Sequence, residues 1–253
     1  MARKKKAAPK LRKPKPTPAS FDDFKAFLRS HLHACEYNGG GGDNLKFPNF
    51  DLMPQDYLSY AGEAIETPTD ANKINCVAHL KRAAECQADT LFHVLSLSKR
   101  PQTKNFPRKM ETIAHLGLIP SRSLSKLNRI RNQMEHEYAV PQIDDLELYF
   151  DLVAGFVAAL EGALFMTEFN HMDFTWQNED KSFGYLSMEY DTKNPKVEST
   201  MSADGGNPTV FTTTPDDWET FRAALRVFYL LKRYTCTVSS AYVLEHLDAT
   251  VAT

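Results

Sequence analysis

The residues best suited to chemistry lie in one stretch, Arg131-Asn132-Gln133-Met134-Glu135-His136-Glu137-Tyr138. An imidazole titrates near neutral pH and can take or give a proton. A guanidinium offers paired donors to a phosphate and stabilises charge as it develops there. An amide such as that of Asn132 orients either group. On an ideal helix Arg131 and His136 stand about 140° apart, so one helix does not aim both at one phosphodiester. Asn132 and His136 are four residues apart and share a face. A two-fold dimer offers a solution: two such helix ends, side by side, let the Arg, Asn and His of both chains converge on one cleft. That set of groups suits cleavage of RNA without a metal. The attacking group is the RNA's own 2′-hydroxyl, which DNA lacks, and the products are a 2′,3′-cyclic phosphate and a 5′-hydroxyl.

The pattern R-x-x-x-x-H, with Asn132 directly after Arg131 and Tyr138 two residues beyond His136, resembles the mark of the HEPN (higher eukaryotes and prokaryotes nucleotide-binding) family. One branch of toxins in that family extends the mark to R-x-x-x-x-H-x-Y. All four positions together arise by chance in about one chain in a thousand of this length. The likeness covers about residues 70–170. It implies a helical bundle with the motif on its penultimate long helix, and a homodimer formed through that helix. It implies a metal-independent endoribonuclease with Arg131, Asn132 and His136 as catalytic residues, and neither metal nor cofactor. It also implies a toxin–antitoxin or phage-defence setting. In the toxin branch the residue equivalent to Tyr138 receives a nucleotide from a partner nucleotidyltransferase, which silences the nuclease. The flanks, 1–69 and 171–253, match nothing in the family.

Each of these residues has a plainer reading. Arg131 and Glu135 are four apart and suit a surface ion pair worth a few tenths of a kcal/mol. His136 suits the negative end of a helix dipole, and Tyr138 suits packing. On the first long helix His79 and Glu85 either face the cleft or, on the plainer reading, face solvent or serve a structural role. His31 and His33 flank Leu32 and point apart, which disfavours a shared metal. Asp144 and Asp145 suit helix caps. Trp176, Phe183, Tyr185 and Tyr190 suit either base stacking or the core of a small sheet. No Ser-His-Asp order, H-E-x-x-H or dinucleotide fingerprint is present. The run Gly39 to Gly42 lacks the Lys-Ser or Lys-Thr of a phosphate-cradling loop and reads as a flexible turn. The rival function is a non-catalytic nucleotide- or RNA-binding scaffold. A DNA-binding regulator rests only on the basic tail.

The elements that position these residues follow from patterning over 253 residues. Hydrophobic residues make up 42% and charged residues 25%, which supplies a core and excludes global disorder. No apolar run approaches the roughly 20 residues of a membrane span. Eight Lys and Arg and no acid fall in residues 1–20, so a chain of net charge −2 less a tail of +8 leaves −10 for the remainder. Residues 1–19 read as a disordered basic tail whose Lys4, Lys5, Lys6, Arg12 and Lys13 hold RNA phosphates. Cys35, Cys76, Cys86 and Cys236 form no C-x-x-C pair. Without an export signal, that suits a reducing cytoplasm.

Residues 20–69 read as an N-terminal helical extension opened by the Ser20–Asp23 capping box. Residues 70–170 read as the bundle: long helices over about 70–98 and 144–170, with the motif helix between them, stopped by Pro141. On the last of these Leu146, Phe150, Val153, Val157, Leu160 and Leu164 form the inner side. Residues 171–253 read as a small α+β appendage of three or four antiparallel strands and a last helix over about 218–234. The expected fold class is mainly α: an antiparallel helical bundle with a small C-terminal antiparallel β segment and a final helix.

Overall fold

A computed structural model describes residues 15–67, 69–119 and 143–248. Its centre is a six-stranded sheet in the order β1-β6-β5-β4-β3-β2. The strands are β1 Thr17–Ala19, β2 Glu36–Gly39, β3 His171–Gln177, β4 Phe183–Asp191, β5 Lys196–Ser202 and β6 Thr209–Thr213. Seven α-helices are described around it: α1 Phe21–His31, α2 Pro54–Glu66, α3 Asp70–Val94, α4 Phe106–His115, α5 Ile143–Glu168, α6 Trp218–Tyr234 and α7 Ser240–His246.

This sheet corrects the expected mainly α bundle with a small antiparallel β segment. The sheet is mixed, because β1 pairs parallel to β6 while the other pairs are antiparallel. Both edge strands come from residues 17–39, far from the hairpins they flank. The physical reason is that edge strands of three and four residues bury almost nothing, so they show no period-2 alternation. Backbone bonds hold them instead: the Thr17 amide donates to the Pro208 carbonyl at 2.9 Å. Pro18 is tolerated because an edge strand need not donate on its outer side.

The four long or central strands do alternate. Met172, Phe174, Trp176, Leu186, Met188, Tyr190, Val197, Met201 and Phe211 point to one buried face. The other face carries His171, Asp173, Tyr185, Glu189, Lys196, Glu198 and Thr212, which are half-buried or exposed. Gly184 stands opposite Trp176 in the β3–β4 register. A Cβ there would meet the indole ring at 2.1 Å, so the large ring requires a residue without a side chain across from it.

Helices α1 and α6 cover the buried face. In α1 the Asp23 amide donates to Ser20 Oγ at 3.1 Å and the Ser20 amide donates to Asp23 Oδ2 at 2.9 Å, closing the expected capping box. Phe24 is fully buried and stacks on Phe211 with ring centroids 5.5 Å apart. Helix α6 buries Phe221, Leu225, Phe228, Tyr229 and Leu231 between the sheet and the remaining helices. Each such side chain contributes roughly 1.5–3 kcal/mol by leaving water. Two tyrosines tie the layers together. Tyr190 donates to the Leu95 carbonyl at 2.6 Å, and the Tyr229 hydroxyl lies 2.9 Å from Thr167 Oγ1.

Helices α2, α3 and α5 pack on one another beyond α6. The inner side of α5 is Leu146, Tyr149, Val153, Phe156, Val157, Leu160, Ala163, Leu164 and Thr167, recurring at helical spacing. Phe150, expected there, is half-buried. Residues 146–168 are nonetheless long and apolar enough to cross a membrane by composition, because the outer side of this helix is also poor in charge. The glycine run does not behave as a free turn. It lies against the junction of α5 and β3, where the Gly41 carbonyl accepts from the His171 amide at 3.1 Å. A Cβ on Gly40 or Gly42 would come within 2.3 Å of the carbonyl oxygen of His171 or Glu168.

Candidate functional site

Arg131, Asn132, His136 and Tyr138 lie outside the described residues, as do Lys4, Lys5, Lys6, Arg12 and Lys13. What the structure defines is the frame on either side of the motif. Before it, α4 starts on the Asn105 cap, whose Oδ1 accepts from the Arg108 amide at 3.1 Å. It ends through Gly117, whose φ of +70° is the left-handed turn glycine provides. After the motif, the chain enters α5 at Ile143 and runs straight into the core through Leu146 and Tyr149. Asp144 and Asp145 fall in the first turn of that helix.

The secondary candidates are mostly accounted for by packing. His79 sits against the rings of Tyr57 and Tyr60, with centroids 6.4 and 5.5 Å away. Its Nδ1 is buried without a hydrogen-bond partner. Burial first, and the charge of Arg82 second, lower its pKa. A neutral imidazole in an aromatic slot is what these groups make. Glu85 is half-buried on the same helix. His31 stacks on Trp176 at 5.1 Å and touches Phe27. Burial, then the charge of His33, lowers its pKa, while His33 itself is exposed. Among the described residues no three His, Cys, Asp or Glu side chains group as a metal would need.

The aromatic residues of the sheet divide in the same way. Trp176 packs under α1, and its indole N–H donates to Asn178 Oδ1 at 3.1 Å. Tyr190 is fully buried. Tyr185 is half-buried on the open face, and Phe183 is 61% exposed at the β3–β4 hairpin. The first two are core, and only the last two face a solvent-borne base.

The basic side chains of α6 are likewise committed to structure. Lys232 is 6% exposed, donates to the His171 carbonyl at 3.2 Å and lies over the Phe228 ring. Burial pulls its pKa down to about 8. Arg226 donates to the His115 carbonyl at 3.1 Å, and burial lowers its pKa too. Three of the four thiols are poor nucleophiles, because burial pushes Cys35 up to about 12 and Cys76 and Cys86 up to about 11.

Two features were not singled out from the sequence. One is a groove of about 470 Å³ lined by Asn44, Leu45, Phe47, Glu161, Leu164, Phe165 and Glu168. Its two carboxylates and two phenyl rings suit a cation and repel a phosphate. The signal was available as Glu161, Phe165 and Glu168 at i, i+4 and i+7, but their partner Phe47 comes from a loop more than a hundred residues away. The other is the turn between α3 and α4 with the first turn of α4, where Lys99, Arg100, Lys104, Arg108 and Lys109 occur without an acid among them. Arg100 pairs with Asp216 at 2.9 Å, Lys109 pairs with Asp89, and Arg108 donates to the Pro101 carbonyl at 2.7 Å. Lys99 and Lys104 are exposed.

Compared with models of known protein families, with characterised proteins and with solved structures, the chain matches none.

Proposed function

We propose that this chain is a metal-independent endoribonuclease of HEPN type, and the observation that carries the reading is the motif Arg131-Asn132-x-x-x-His136-x-Tyr138. The reading rests on those residue types and their spacing. Two copies of the chain meet through the motif helix and surround one phosphodiester. An imidazole removes the proton of the RNA 2′-hydroxyl, and that oxygen attacks the adjacent phosphorus. The bond from phosphorus to the 5′-oxygen breaks, and the departing oxygen takes a proton from the second imidazole. Arg131 stabilises the charge that builds on the phosphoryl oxygens, and Asn132 orients the phosphate or the imidazole. The basic tail and the cationic turn at 99–109 add sequence-independent hold on the RNA backbone. The setting is a toxin–antitoxin pair or phage defence in the cytoplasm. Tyr138 is the position at which a partner nucleotidyltransferase would silence the enzyme.

The test is labelled RNA incubated with purified protein, with and without EDTA, beside Arg131→Ala and His136→Ala. Cutting that persists in EDTA, leaves cyclic phosphate ends and falls at least about 100-fold in His136→Ala is expected. Cutting that survives both substitutions, needs a divalent metal, or proceeds equally on DNA overturns the assignment. A scaffold that binds nucleotide or RNA without cutting it is the second reading. RNA retained by the protein and recovered intact would select it.

A further inference from the structure

Among the described residues, the outer side of α5 presents an apolar seam that is largely uncovered. Leu148, Phe165 and Phe169 are 42%, 63% and 46% exposed. Phe165 and Phe169 meet edge to face at 5.2 Å. Between the two ends Gly155, Ala158, Ala159 and Gly162 are all exposed, and Leu152 and Met166 are half-buried. Leu148, Gly155, Gly162 and Phe169 recur every seven residues, which keeps them on one side of a helix with only about 20° of drift per repeat.

Two glycines in the middle of a helix are unfavourable by roughly 1 kcal/mol each against alanine. Here the fold itself does not demand them. A Cβ at Gly155 or at Gly162 meets nothing within 4 Å, and neither residue takes a positive φ. A second backbone approaching closely from outside gives them a purpose.

The seam is also symmetric about the midpoint between Ala158 and Ala159. Residues equidistant from that point are alike or complementary in size: Gly155 with Gly162, Leu152 with Phe165, and Leu148 with Phe169. The positions related by that symmetry to Glu147, Asp151, Glu161 and Glu168 are Asn170, Met166, Phe156 and Tyr149, so no acid is paired with another. That is the arrangement an isologous two-fold contact requires. Leu148, Phe165 and Phe169 leave about 300 Å² of apolar surface per protomer. The seam from Leu148 to Phe169 runs about 33 Å. Two such faces offer about 600 Å² from these large side chains, and the exposed small residues between them with Leu152 and Met166 bring the total toward the roughly 1,000 Å² that a specific interface clears.

We infer that α5 of one protomer packs antiparallel against α5 of a second copy, with the two-fold axis passing between Ala158 and Ala159. This contact goes beyond the ribonuclease reading and does not depend on it. Antiparallel pairing sets the two starts of α5 about 45 Å apart, and this contact is distinct from the one proposed through the motif helix.

Disulfide trapping tests both the contact and its direction, in a Cys236→Ser background that removes the exposed native thiol. Gly155→Cys and Gly162→Cys proteins are oxidised separately and as an equimolar mixture. Linked dimers form in the mixture and at most a few per cent form in either protein alone. In sedimentation at tens of micromolar, Ala158→Glu halves the mass, whatever the starting assembly, while Ala158→Ser leaves it unchanged. Linking of Gly155→Cys with itself as strongly as in the mixture overturns the antiparallel seam. A wild-type monomer, or an Ala158→Glu protein of unchanged mass, overturns the contact altogether. Partition of the wild type onto phosphatidylcholine vesicles, with no mixed disulfide in their absence, assigns the face to a membrane and overturns it as well. Each outcome is independent of RNA cutting, so this inference and the nuclease reading fail separately.

Discussion

Helices α5 and α6 are both long, apolar and central, yet they end up differently. Every side of α6 finds a use inside the protomer. Its aromatic face lies on the sheet, and its buried Lys232 and half-buried Arg226 reach carbonyls at the start of β3 and the end of α4. Its charged residues Glu219 and Arg222 pair with each other at the surface. Helix α5 buries one face as completely, but its opposite face stays apolar and open from Leu148 to Phe169. The difference separates a helix finished by its own chain from one that is finished by something else. Large apolar faces left in water mark contact sites, whereas a buried amine that donates to a backbone carbonyl, as Lys232 does, marks only a committed core.

The sharpest way to break this comparison is in the two cores. Phe228→Ala on α6 and Leu160→Ala on the inner side of α5 should each cost about 3–5 kcal/mol in urea unfolding. A cost below 1 kcal/mol at either site would mean that the helix is not embedded as described. The pH dependence of Lys232 comes next. Its pKa is about 8 when folded against an ordinary value of 10.5. The unfolded chain therefore holds the extra proton between those values, and stability gains as pH rises through that window. The difference in unfolding free energy between wild type and Lys232→Met should shift in favour of wild type by on the order of 1–3 kcal/mol from pH 8 to 10.5. A flat difference would show that the amine is solvated. The smallest effect is at the seam. Gly155→Ala should stabilise the isolated protomer by about 0.5–1 kcal/mol at low concentration, while weakening self-association. A loss of protomer stability would show that the glycine serves the fold after all.

Much of the local structure was readable from the chain. Ser20 and Asp23 announced α1, Pro54 opened α2, and Gly117 closed α4, because caps and stops act over three or four residues. The strand pattern from Met172 to Phe211 was readable because each strand buries alternate residues. The sheet edges were not. Glu36-Tyr37-Asn38-Gly39 carries no buried residue to announce a strand, and its partner β3 lies more than 130 residues onward. Of the candidate site, His79 and Trp176 stood out by residue type, and only their neighbours showed that both are packing. The groove escaped because Phe47 and Phe165 become neighbours only through the fold.

The amino-acid sequence alone determined where helices begin and end, which residues repeat at helical spacing, and the order of Arg131, Asn132, His136 and Tyr138. Those depend on sterics and hydrogen bonds within a turn or two of chain. Tertiary structure decided that Thr17 lies beside Thr209, and that one side of α5 is enclosed while the other is bare. Pairing and burial depend on which distant surfaces meet, and no local pattern carries that information.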